Sequence, residues 1–260
     1  MTFINKIVVV TGAASGIGEA VSISFAKLSA RLYLVDKDDD NLKKIAETCE
    51  KLSRAKVFTA AVDLTDDDLV EKTMNSAKNH FGRIDVVVNC VGIYKTTKIL
   101  DANVIETFDE IMRVNLRSAV RITNCVAPAL IESKGNLIFI SSVAAQLTSR
   151  DCFAYNASKA ALCHFSKCVA LELAQKGVRV NCVSPGPVPT NILVNAGSTK
   201  EESAKMWKSC AELVPLKQLP KPEEVAELVI FIASDKAISM TGSTYAVDAG
   251  LSLLGCQDAN

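Results

Sequence analysis

The chain alternates short apolar runs with longer stretches of helical periodicity along most of its length. The short runs are rich in valine, isoleucine and leucine, as expected for strands that are buried on both faces of a parallel sheet. The longer stretches predict the crossover helices that parallel strands require. The pattern therefore predicts one α/β domain over residues 1–260, with a doubly wound parallel sheet of about seven strands. Predicted strands cover 7–10, 31–35, 56–62, 84–89, 136–141, 178–184 and 244–248, and predicted helices follow the first strand to about residue 28 and then cover 39–52, 66–80, 103–132, 153–175 and 222–234.

The first predicted strand leads directly into a glycine-rich turn, Thr11-Gly12-Ala13-Ala14-Ser15-Gly16-Ile17-Gly18. Glycines permit positive φ and a close approach of a phosphate, and the N-terminus of the following helix attracts negative charge. The second strand ends at Asp36, where an acidic side chain can hold ribose hydroxyls. The spacing G-x-x-x-G-x-G differs from the common G-x-G-x-x-G fingerprint. The turn alone therefore leaves a plain tight connection open, and Asp36 favours a dinucleotide site.

A second chemical pattern lies on the predicted helix 153–175 and just before it. Tyr155 and Lys159 are four residues apart and project from one helix face, and Ser142 lies thirteen residues before the tyrosine. A free tyrosine titrates near ~10, and a neighbouring ammonium favours the phenolate, so we expect Lys159 to lower the pKa of Tyr155. This spacing is common on helices by chance. Together with the dinucleotide turn, the three residues indicate a site for proton transfer.

These motifs resemble those of the short-chain dehydrogenase/reductase family, in the same order and over nearly all 260 residues. The resemblance implies a Rossmann-type fold and hydride transfer between a nicotinamide coenzyme and an alcohol or ketone. Two motifs depart from the usual family pattern, because Cys90 and Val91 replace an asparagine and an alanine, and Ala249 replaces a glycine. The other matching segments are Asp63-Leu64, Asn89-Cys90-Val91-Gly92, Asn115, Pro185-Gly186 with Thr190, and Val247-Asp248-Ala249-Gly250.

The resemblance also implies roles for individual residues. Tyr155 would exchange the hydroxyl proton, Lys159 would lower its pKa and bind the nicotinamide ribose, and Ser142 would hydrogen-bond the substrate oxygen. Asn115 would order a water-linked proton relay. The glycines of the turn would surround the pyrophosphate, Asp63 would meet the adenine, and Thr190 would meet the carboxamide. No metal site is predicted. The implied cofactor-binding set is Gly12, Ser15, Gly16, Ile17, Gly18, Asp36, Asp63, Leu64, Asn89, Gly92, Tyr155, Lys159, Pro185, Gly186, Val188 and Thr190.

Asp36 favours NAD over NADP as the coenzyme, because a carboxylate that binds the ribose hydroxyls repels a 2′-phosphate. Lys37 follows it directly and softens that repulsion, whereas Ser15 leaves the turn without a basic side chain. The leading hypothesis is an NAD-dependent alcohol dehydrogenase or ketone reductase. An NADP-dependent 3-oxoacyl reductase and a nucleotide-binding regulatory protein without turnover are the alternatives. The set of Ser142, Tyr155 and Lys159 argues against the regulatory protein.

Composition narrows the classes of partner. The 29 basic and 29 acidic residues give no broad electrostatic field for nucleic acid or an anionic membrane. Residues 1–6 lack a secretory hydrophobic region, and no apolar run reaches the ~20 residues of a membrane span, so we expect a cytoplasmic protein. Nine cysteines form no C-x-x-C pair, which favours reduced thiols. His164 lies nine residues after Tyr155 on the opposite helix face, which disfavours a serine–histidine hydrolase.

The segment from 185 to 222 is the least regular part of the chain and carries six of its seven prolines. Residues 187–215 are therefore a candidate substrate lid, with an ordinary surface connection as the alternative. Tyr94, Val143 and Ala144 are candidate lining residues, which favours a largely apolar small-molecule alcohol or ketone. The family resemblance implies a homotetramer built through the helices predicted at 103–132 and 153–175.

Overall fold

A computed structural model describes residues 2–254. Seven strands in these residues form one parallel sheet: β1 Ile7–Thr11, β2 Arg31–Asp36, β3 Phe58–Ala61, β4 Val86–Asn89, β5 Asn136–Ile140, β6 Arg179–Pro185 and β7 Thr244–Val247. Their order across the sheet is β3-β2-β1-β4-β5-β6-β7. The winding direction therefore reverses between β1 and β4, as in a doubly wound sheet. The predicted α/β class and the Rossmann-type sheet of seven strands in a single domain are confirmed.

Helices cover both faces of this sheet, and their cores follow the alternation of side chains along each strand. In β1, Val8 and Val10 pack with one hydrophobic cluster and Val9 with the other, and all three are fully buried. Burying such a side chain contributes roughly 1.5–3 kcal/mol, so the central strands are strongly held. The helices are α1 Gly16–Lys27, α2 Asp39–Ser53, α3 Asp67–Phe81, α4 Val104–Met112, α5 Ser118–Ser133, α6 Phe153–Ala174, α7 Ile192–Asn195, α8 Lys200–Leu213 and α9 Pro222–Ala233.

The two helical layers divide the elements between them. The first hydrophobic cluster joins α1, α2 and α9 to one face of the sheet, through side chains such as Phe25, Leu42 and Val229. The second joins α3, α5 and α6 to the other face, through side chains such as Met74 and Ile122. In sheets of this type, ligands bind at the carboxyl ends of the strands.

Two regions differ from the sequence prediction. The helix expected over 103–132 is divided, because a π-helical segment at Arg113–Arg117 separates α4 from α5. The segment 187–215, expected to be irregular, contains α7 and α8. Helix α8 begins with a capping box in which the Thr199 hydroxyl accepts from the Glu202 backbone N–H and the Glu202 carboxylate accepts from the Thr199 backbone N–H. The observed strand ends differ from the predicted ones by at most two residues.

Within residues 2–254, the helices lack the combined length and apolar character that crossing a bilayer requires.

Candidate active site

The predicted site residues gather at the carboxyl edge of the sheet, around the point where the strand order reverses. The glycine turn follows β1, Asp36 ends β2, and Asn89 ends β4. Ser142 follows β5, and Pro185 ends β6. Parallel strands place all of these ends on one edge, so residues far apart in sequence surround one crevice.

The glycine turn has the backbone shape that its sequence predicts. Gly12 and Gly16 have φ of 68° and 56°, in the left-handed region that favours glycine. A Cβ on Gly18 would overlap the Gly12 carbonyl oxygen, so only glycine lets α1 start so close to β1. The Ala14 N–H donates to Asp36 Oδ2 over 3.0 Å, which joins the turn to the end of β2.

The start of α1 can receive an anion. Ser15 precedes α1 and makes no side-chain hydrogen bond to the helix, so the N–H groups of the first turn remain available to another acceptor. Ile17 is partly buried behind the turn. This cradle of glycine backbone and helix N-terminus fits the pyrophosphate of a dinucleotide.

The ends of β1 and β4 are held together by the side chain of Asn89. Thr11 Oγ1 donates to Asn89 Oδ1 over 2.9 Å, and the Val91 N–H donates to the same oxygen over 3.3 Å. The chain then reaches Gly92, where an added Cβ would lie 3.1 Å from Lys159 Nζ and 3.5 Å from Asn115 Oδ1. Gly92 therefore leaves the space in which the lysine and the asparagine meet.

Tyr155 lies in the first turn of α6, next to Ser142. Burial raises the pKa of Tyr155 to about 12, and a hydrogen bond with Ser142 lowers that pKa only in part. The direction of the shift is opposite to the expectation that Lys159 makes the phenol more acidic. Desolvation, which depends on tertiary packing, outweighs the neighbouring groups. The Tyr94 ring packs edge-on against the Tyr155 ring with 5.3 Å between centroids.

Lys159 is buried one turn further along α6. Its Nζ donates to the Ile140 carbonyl oxygen over 3.1 Å and lies 5.7 Å from the centroid of the Tyr155 ring. Burial lowers the pKa of Lys159 to about 8. The lysine therefore approaches the ring of the tyrosine, and its own proton is held weakly enough to exchange near neutral pH.

Asn115 is buried in the π-helical segment and binds two other parts of the site. Its Oδ1 accepts from the Ile93 N–H over 2.8 Å, and its Nδ2 donates to the Ile93 carbonyl oxygen over 3.0 Å. Nδ2 also lies 3.0 Å from Ser158 Oγ, next to Lys159 on α6. Asn115 thus connects the segment after β4 to the helix that carries Tyr155 and Lys159.

The remaining predicted residues border the same crevice at two places. Asp63 Oδ1 accepts from the Thr65 N–H over 2.9 Å, and this bond is the main cause that lowers the pKa of Asp63. Lys37 and Arg113 lower it further through their charges. Leu64 beside it is buried.

The segment after β6 closes the other side of the glycine turn. A Cβ on Gly16 would lie 2.9 Å from Thr190 Cγ2, so Thr190 faces the turn directly. Val188 is buried, and Gly186 passes so close to Asp248 that a Cβ would lie 2.8 Å from the Asp248 Cα. The structure therefore brings Thr190 against the glycine turn and brings Gly92, Asn115, Tyr155 and Lys159 together, whereas Asp63 and Leu64 follow β3 further along the same edge.

Several neighbours of the site were not found from the sequence. Ser158 and Ile93 bind Asn115, and Ser141 Oγ donates to the Lys159 carbonyl oxygen over 3.0 Å. These contacts join residues distant in sequence, and no local pattern marks them. His164 is exposed on α6, away from the site, as its spacing predicted. In the described part of the chain, no three His, Cys, Asp or Glu side chains are grouped to hold a metal ion.

Comparison with known proteins identifies the family. A family model described as enoyl-(acyl carrier protein) reductase matches residues 12–252. The 3-oxoacyl-[acyl-carrier-protein] reductase FabG of Thermotoga maritima is 33% identical over 95% of this chain and 98% of its own length. The meso-2,3-butanediol dehydrogenase of Serratia marcescens is 32% identical over 96% of each chain.

Solved structures agree with these relatives. A short-chain dehydrogenase/reductase from Caenorhabditis elegans, solved with cofactor, superposes with a TM-score of 0.92 and 31% identity over 99% of each chain. The L-sorbose reductase of Gluconobacter frateurii, solved with NADPH and L-sorbose, has a TM-score of 0.90 and 30% identity over 98% of this chain and 99% of that one. The chain belongs to the short-chain dehydrogenase/reductase family of oxidoreductases, as its motifs predict.

Proposed function

We propose that the protein is an NAD-dependent oxidoreductase that interconverts a secondary alcohol and a ketone, with Tyr155 as the acid and base. The observation that carries the proposal is the position of Tyr155, which is partly buried. Ser142 lies close enough to lower its pKa, Lys159 Nζ lies 5.7 Å from its ring centroid, and the tyrosine lies at the sheet edge that holds the glycine turn. A proton donor beside a dinucleotide cradle is the arrangement that hydride transfer to a carbonyl requires.

The chain's own residues supply the proton and orient the substrate. Burial keeps the Tyr155 hydroxyl protonated at neutral pH, so in the reducing direction it donates to the carbonyl oxygen of the substrate. Ser142 Oγ accepts from the Ala144 N–H over 3.1 Å, which fixes the hydroxyl beside Tyr155, where a bound substrate oxygen would take its hydrogen bond in place of the phenol. Lys159, with a pKa of about 8, replaces the proton that Tyr155 gives up. The bound nicotinamide coenzyme would supply or accept the hydride.

Asp36 supports NAD as the coenzyme. Its carboxylate ends β2 next to the glycine turn and already accepts from the Ala14 N–H, so it faces the place of an adenosine ribose. Lys37, which could attract a 2′-phosphate, contributes its charge to Asp63, whose pKa it lowers. We therefore take the carboxylate of Asp36, which is joined directly to the glycine turn, as the feature that selects the coenzyme.

The proposal extends to the residues that would bind the coenzyme. We assign the pyrophosphate to Gly12, Gly16 and Gly18 with the N–H groups of Ser15 and Ile17. Asp63 and Leu64 would hold the adenine. The nicotinamide half would be held by Asn89, Gly92, Tyr155, Lys159 and the segment of Pro185, Gly186, Val188 and Thr190.

The substrate enters between that segment and the loop that carries Tyr94. The half-buried Tyr94 ring and the neighbouring Val143 favour an apolar substrate, and residues 187–215 act as its lid. A homotetramer through α4, α5 and α6 and a cytoplasmic location complete the proposal.

An NADP-dependent 3-oxoacyl reductase is the second candidate. It is favoured by the similarity to the Thermotoga maritima 3-oxoacyl-[acyl-carrier-protein] reductase and by the exposed Lys37 beside Asp36. A non-catalytic nucleotide-binding regulator is the third, and the intact Ser142, Tyr155 and Lys159 argue against it.

The test is a panel of secondary alcohols, ketones and 3-oxoacyl thioesters, followed by nicotinamide absorbance with each coenzyme. We expect kcat/KM with NAD(H) to exceed that with NADP(H) by about tenfold or more, as a difference of about 1.4 kcal/mol requires. Asp36→Ala should reverse or erase this preference, and Asp39→Ala, on the exposed start of α2, should not. A preference for NADP(H) in the unaltered protein supports the second candidate.

A second substitution tests the proposed mechanism. Tyr155→Phe removes only the hydroxyl and should lower kcat by about 10²–10⁴-fold while the protein still binds NAD. Tyr245→Phe makes the same chemical change on β7 and should leave kcat within about twofold of the unaltered protein. Full activity of Tyr155→Phe would contradict the proposed mechanism. If the unaltered protein bound NAD normally and turned over no substrate of the panel, that result would support a regulator.

A further inference from the structure

A pair of thiols lies directly behind the proposed site and is not used by the mechanism. Cys163 Sγ on α6 and Cys182 Sγ on β6 are 3.7 Å apart, which is van der Waals contact for two sulfur atoms. Cys182 is fully buried, whereas Cys163 is partly exposed. The two thiols therefore face each other across the interface of helix and strand, and Cys163 is the less buried residue of the two.

Hydroxyl groups surround this pair. Cys163 Sγ donates to Ser141 Oγ over 3.2 Å and lies 3.8 Å from Ser184 Oγ. Hydrogen bonding from the Cys182 thiol lowers the pKa of Cys163, and the pKa of Cys182 is raised in return. Both cysteines also border the second hydrophobic cluster, and the hydroxyl groups beside Cys163 favour thiolate on this more accessible sulfur.

The pair is connected to Lys159 through one hydroxyl. Ser141 Oγ accepts from Cys163 and donates to the Lys159 carbonyl oxygen over 3.0 Å. Cys163 follows Lys159 by one helical turn on the same face of α6. A change at the sulfur atoms therefore reaches the backbone of the proposed catalytic lysine through a single intervening group.

We propose that Cys163 and Cys182 are an oxidation site, at which a hydroperoxide closes a disulfide that lowers turnover. The Cys163 thiolate attacks a peroxide oxygen, an S–O bond forms, the O–O bond breaks, and hydroxide leaves. Cys182 Sγ then attacks Cys163 Sγ, the S–S bond forms, and the S–O bond breaks with loss of water that carries the Cys182 proton. Hydroxide and the first thiol proton make a second water, so two thiols lose two electrons and hydrogen peroxide is reduced.

The disulfide changes the position of α6. An S–S bond is about 2.05 Å long, so the sulfur atoms must approach by more than about 1.5 Å from their 3.7 Å separation. This movement draws α6 toward β6 and removes the thiol donor from Ser141. Because misplacement of about 1 Å in a catalytic group can cost up to about 100-fold, we expect the disulfide to lower kcat by about tenfold or more.

The experiment treats the full-length protein with hydrogen peroxide, blocks remaining thiols, and digests with trypsin. Lys159, Lys167, Arg179 and Lys200 place Cys163, Cys168 and Cys182 in three separate peptides, so mass spectrometry identifies the linked pair. We expect peptide 160–167 linked to peptide 180–200, together with the loss of kcat. Dithiothreitol should reverse both.

Three variants define the site. Cys163→Ser and Cys182→Ala should each prevent formation of the linked peptide. The kcat of each variant after peroxide should equal its kcat before peroxide, and either variant suffices if the other fails to fold. Cys168→Ser, an exposed thiol on the same helix, should behave like the unaltered protein. Absence of the linked peptide, a linked peptide without loss of kcat, or equal loss in Cys163→Ser would overturn the proposal.

The proposal depends on the proposed function only for its effect on turnover. The linked peptide is detected without any substrate. A reduced protein that shows no activity would contradict the proposed function, and the peptide map would still decide whether the disulfide forms.

Discussion

Burial moves the protonation of both Tyr155 and Lys159 toward the neutral form. It raises the pKa of the phenol to about 12 and lowers the pKa of the ammonium to about 8. The two shifts give the residues different tasks, because a phenol that stays protonated is a donor and an ammonium near its pKa exchanges protons with solvent. From the sequence alone, only the proximity of the two could be predicted, since desolvation depends on packing by distant segments such as the Tyr94 loop.

The first prediction concerns pH. Because the pKa of Lys159 is lowered to about 8, its ammonium is fully present below that pH and is lost above it. Ketone reduction, which consumes a proton, should therefore lose about tenfold in kcat/KM per pH unit above about 8, and alcohol oxidation should rise to a plateau. Initial rates in both directions from pH 6 to 10 measure this.

Lys159→Arg provides the control for this profile. A guanidinium does not titrate in this range, so the residual activity should show no inflection near pH 8. An unchanged inflection in that variant would assign the ionisation to another group.

The second prediction concerns Gly18, whose missing Cβ lets α1 begin beside the Gly12 carbonyl. Gly18→Ala places a methyl group on that oxygen, so α1 must move away from β1. We expect a loss of about 3 kcal/mol in the free energy of unfolding and weak NAD binding. Thermal unfolding and calorimetric titration with NAD measure the two effects.

Gly82→Ala is the matched control for Gly18. Gly82 has φ of 76° and nothing within 4 Å of an added Cβ, so the substitution adds backbone strain without a clash. It should cost about 1 kcal/mol and leave NAD binding unchanged. Equal effects of the two alanines would show that the contact with Gly12 does not matter.

At the scale of elements, the π-helical segment Arg113–Arg117 is the part that sequence reading could not find. The prediction of one helix over 103–132 did not contain it, because no local residue pattern marks a π-helical turn. Its cause is a tertiary one, since the Asn115 side chain binds both backbone groups of Ile93. Such segments occur frequently at functional sites.

Asn115→Ala tests this connection and is the third prediction. It leaves the Ile93 N–H and carbonyl without partners in a partly buried place, so we expect a loss of about 2 kcal/mol in the free energy of unfolding. The loop before Tyr94 should shift, and kcat should fall. Asn124→Ala, at an exposed position of α5, should change stability by less than about 0.5 kcal/mol. Equal losses in both variants would contradict a structural role for Asn115.

Helix α8 was absent from the sequence prediction for a different reason. Its apolar side chains are sparse, so periodicity gave no signal, and six prolines between 185 and 222 favoured a loop. A local signal was present, since Thr199 followed three residues later by Glu202 is the pattern of a capping box. The helix was therefore predictable from the capping pattern at its N-terminus and not from the periodicity of its apolar side chains.

At the scale of the whole molecule, the sheet and the position of the site were predictable for the same reason. Parallel strands with both faces buried produce unbroken runs such as Ile7–Val10, and the chain must return by a helix after each one. Strand ends on one edge then bring Asp36, Asn89 and Ser142 into one crevice without any knowledge of side-chain packing. The distances and the protonation states needed the structure.

Helix α8 is attached to this frame by little buried surface, which leads to the last prediction. Helix α8 buries Ser203, whereas the following α9 buries Val225, Val229 and four other side chains. Exposed Met206 and Leu213 give α8 an apolar surface that an enclosed substrate could cover.

In hydrogen exchange, the amides of α8 should be protected about tenfold less than those of α9, because opening a weakly buried helix costs less free energy. NAD with the best alcohol of the panel should slow exchange in α8 and leave α9 unchanged, as expected of a lid. Protection of α8 equal to that of α9, or no change on adding both ligands, would show that residues 187–215 are a fixed surface connection.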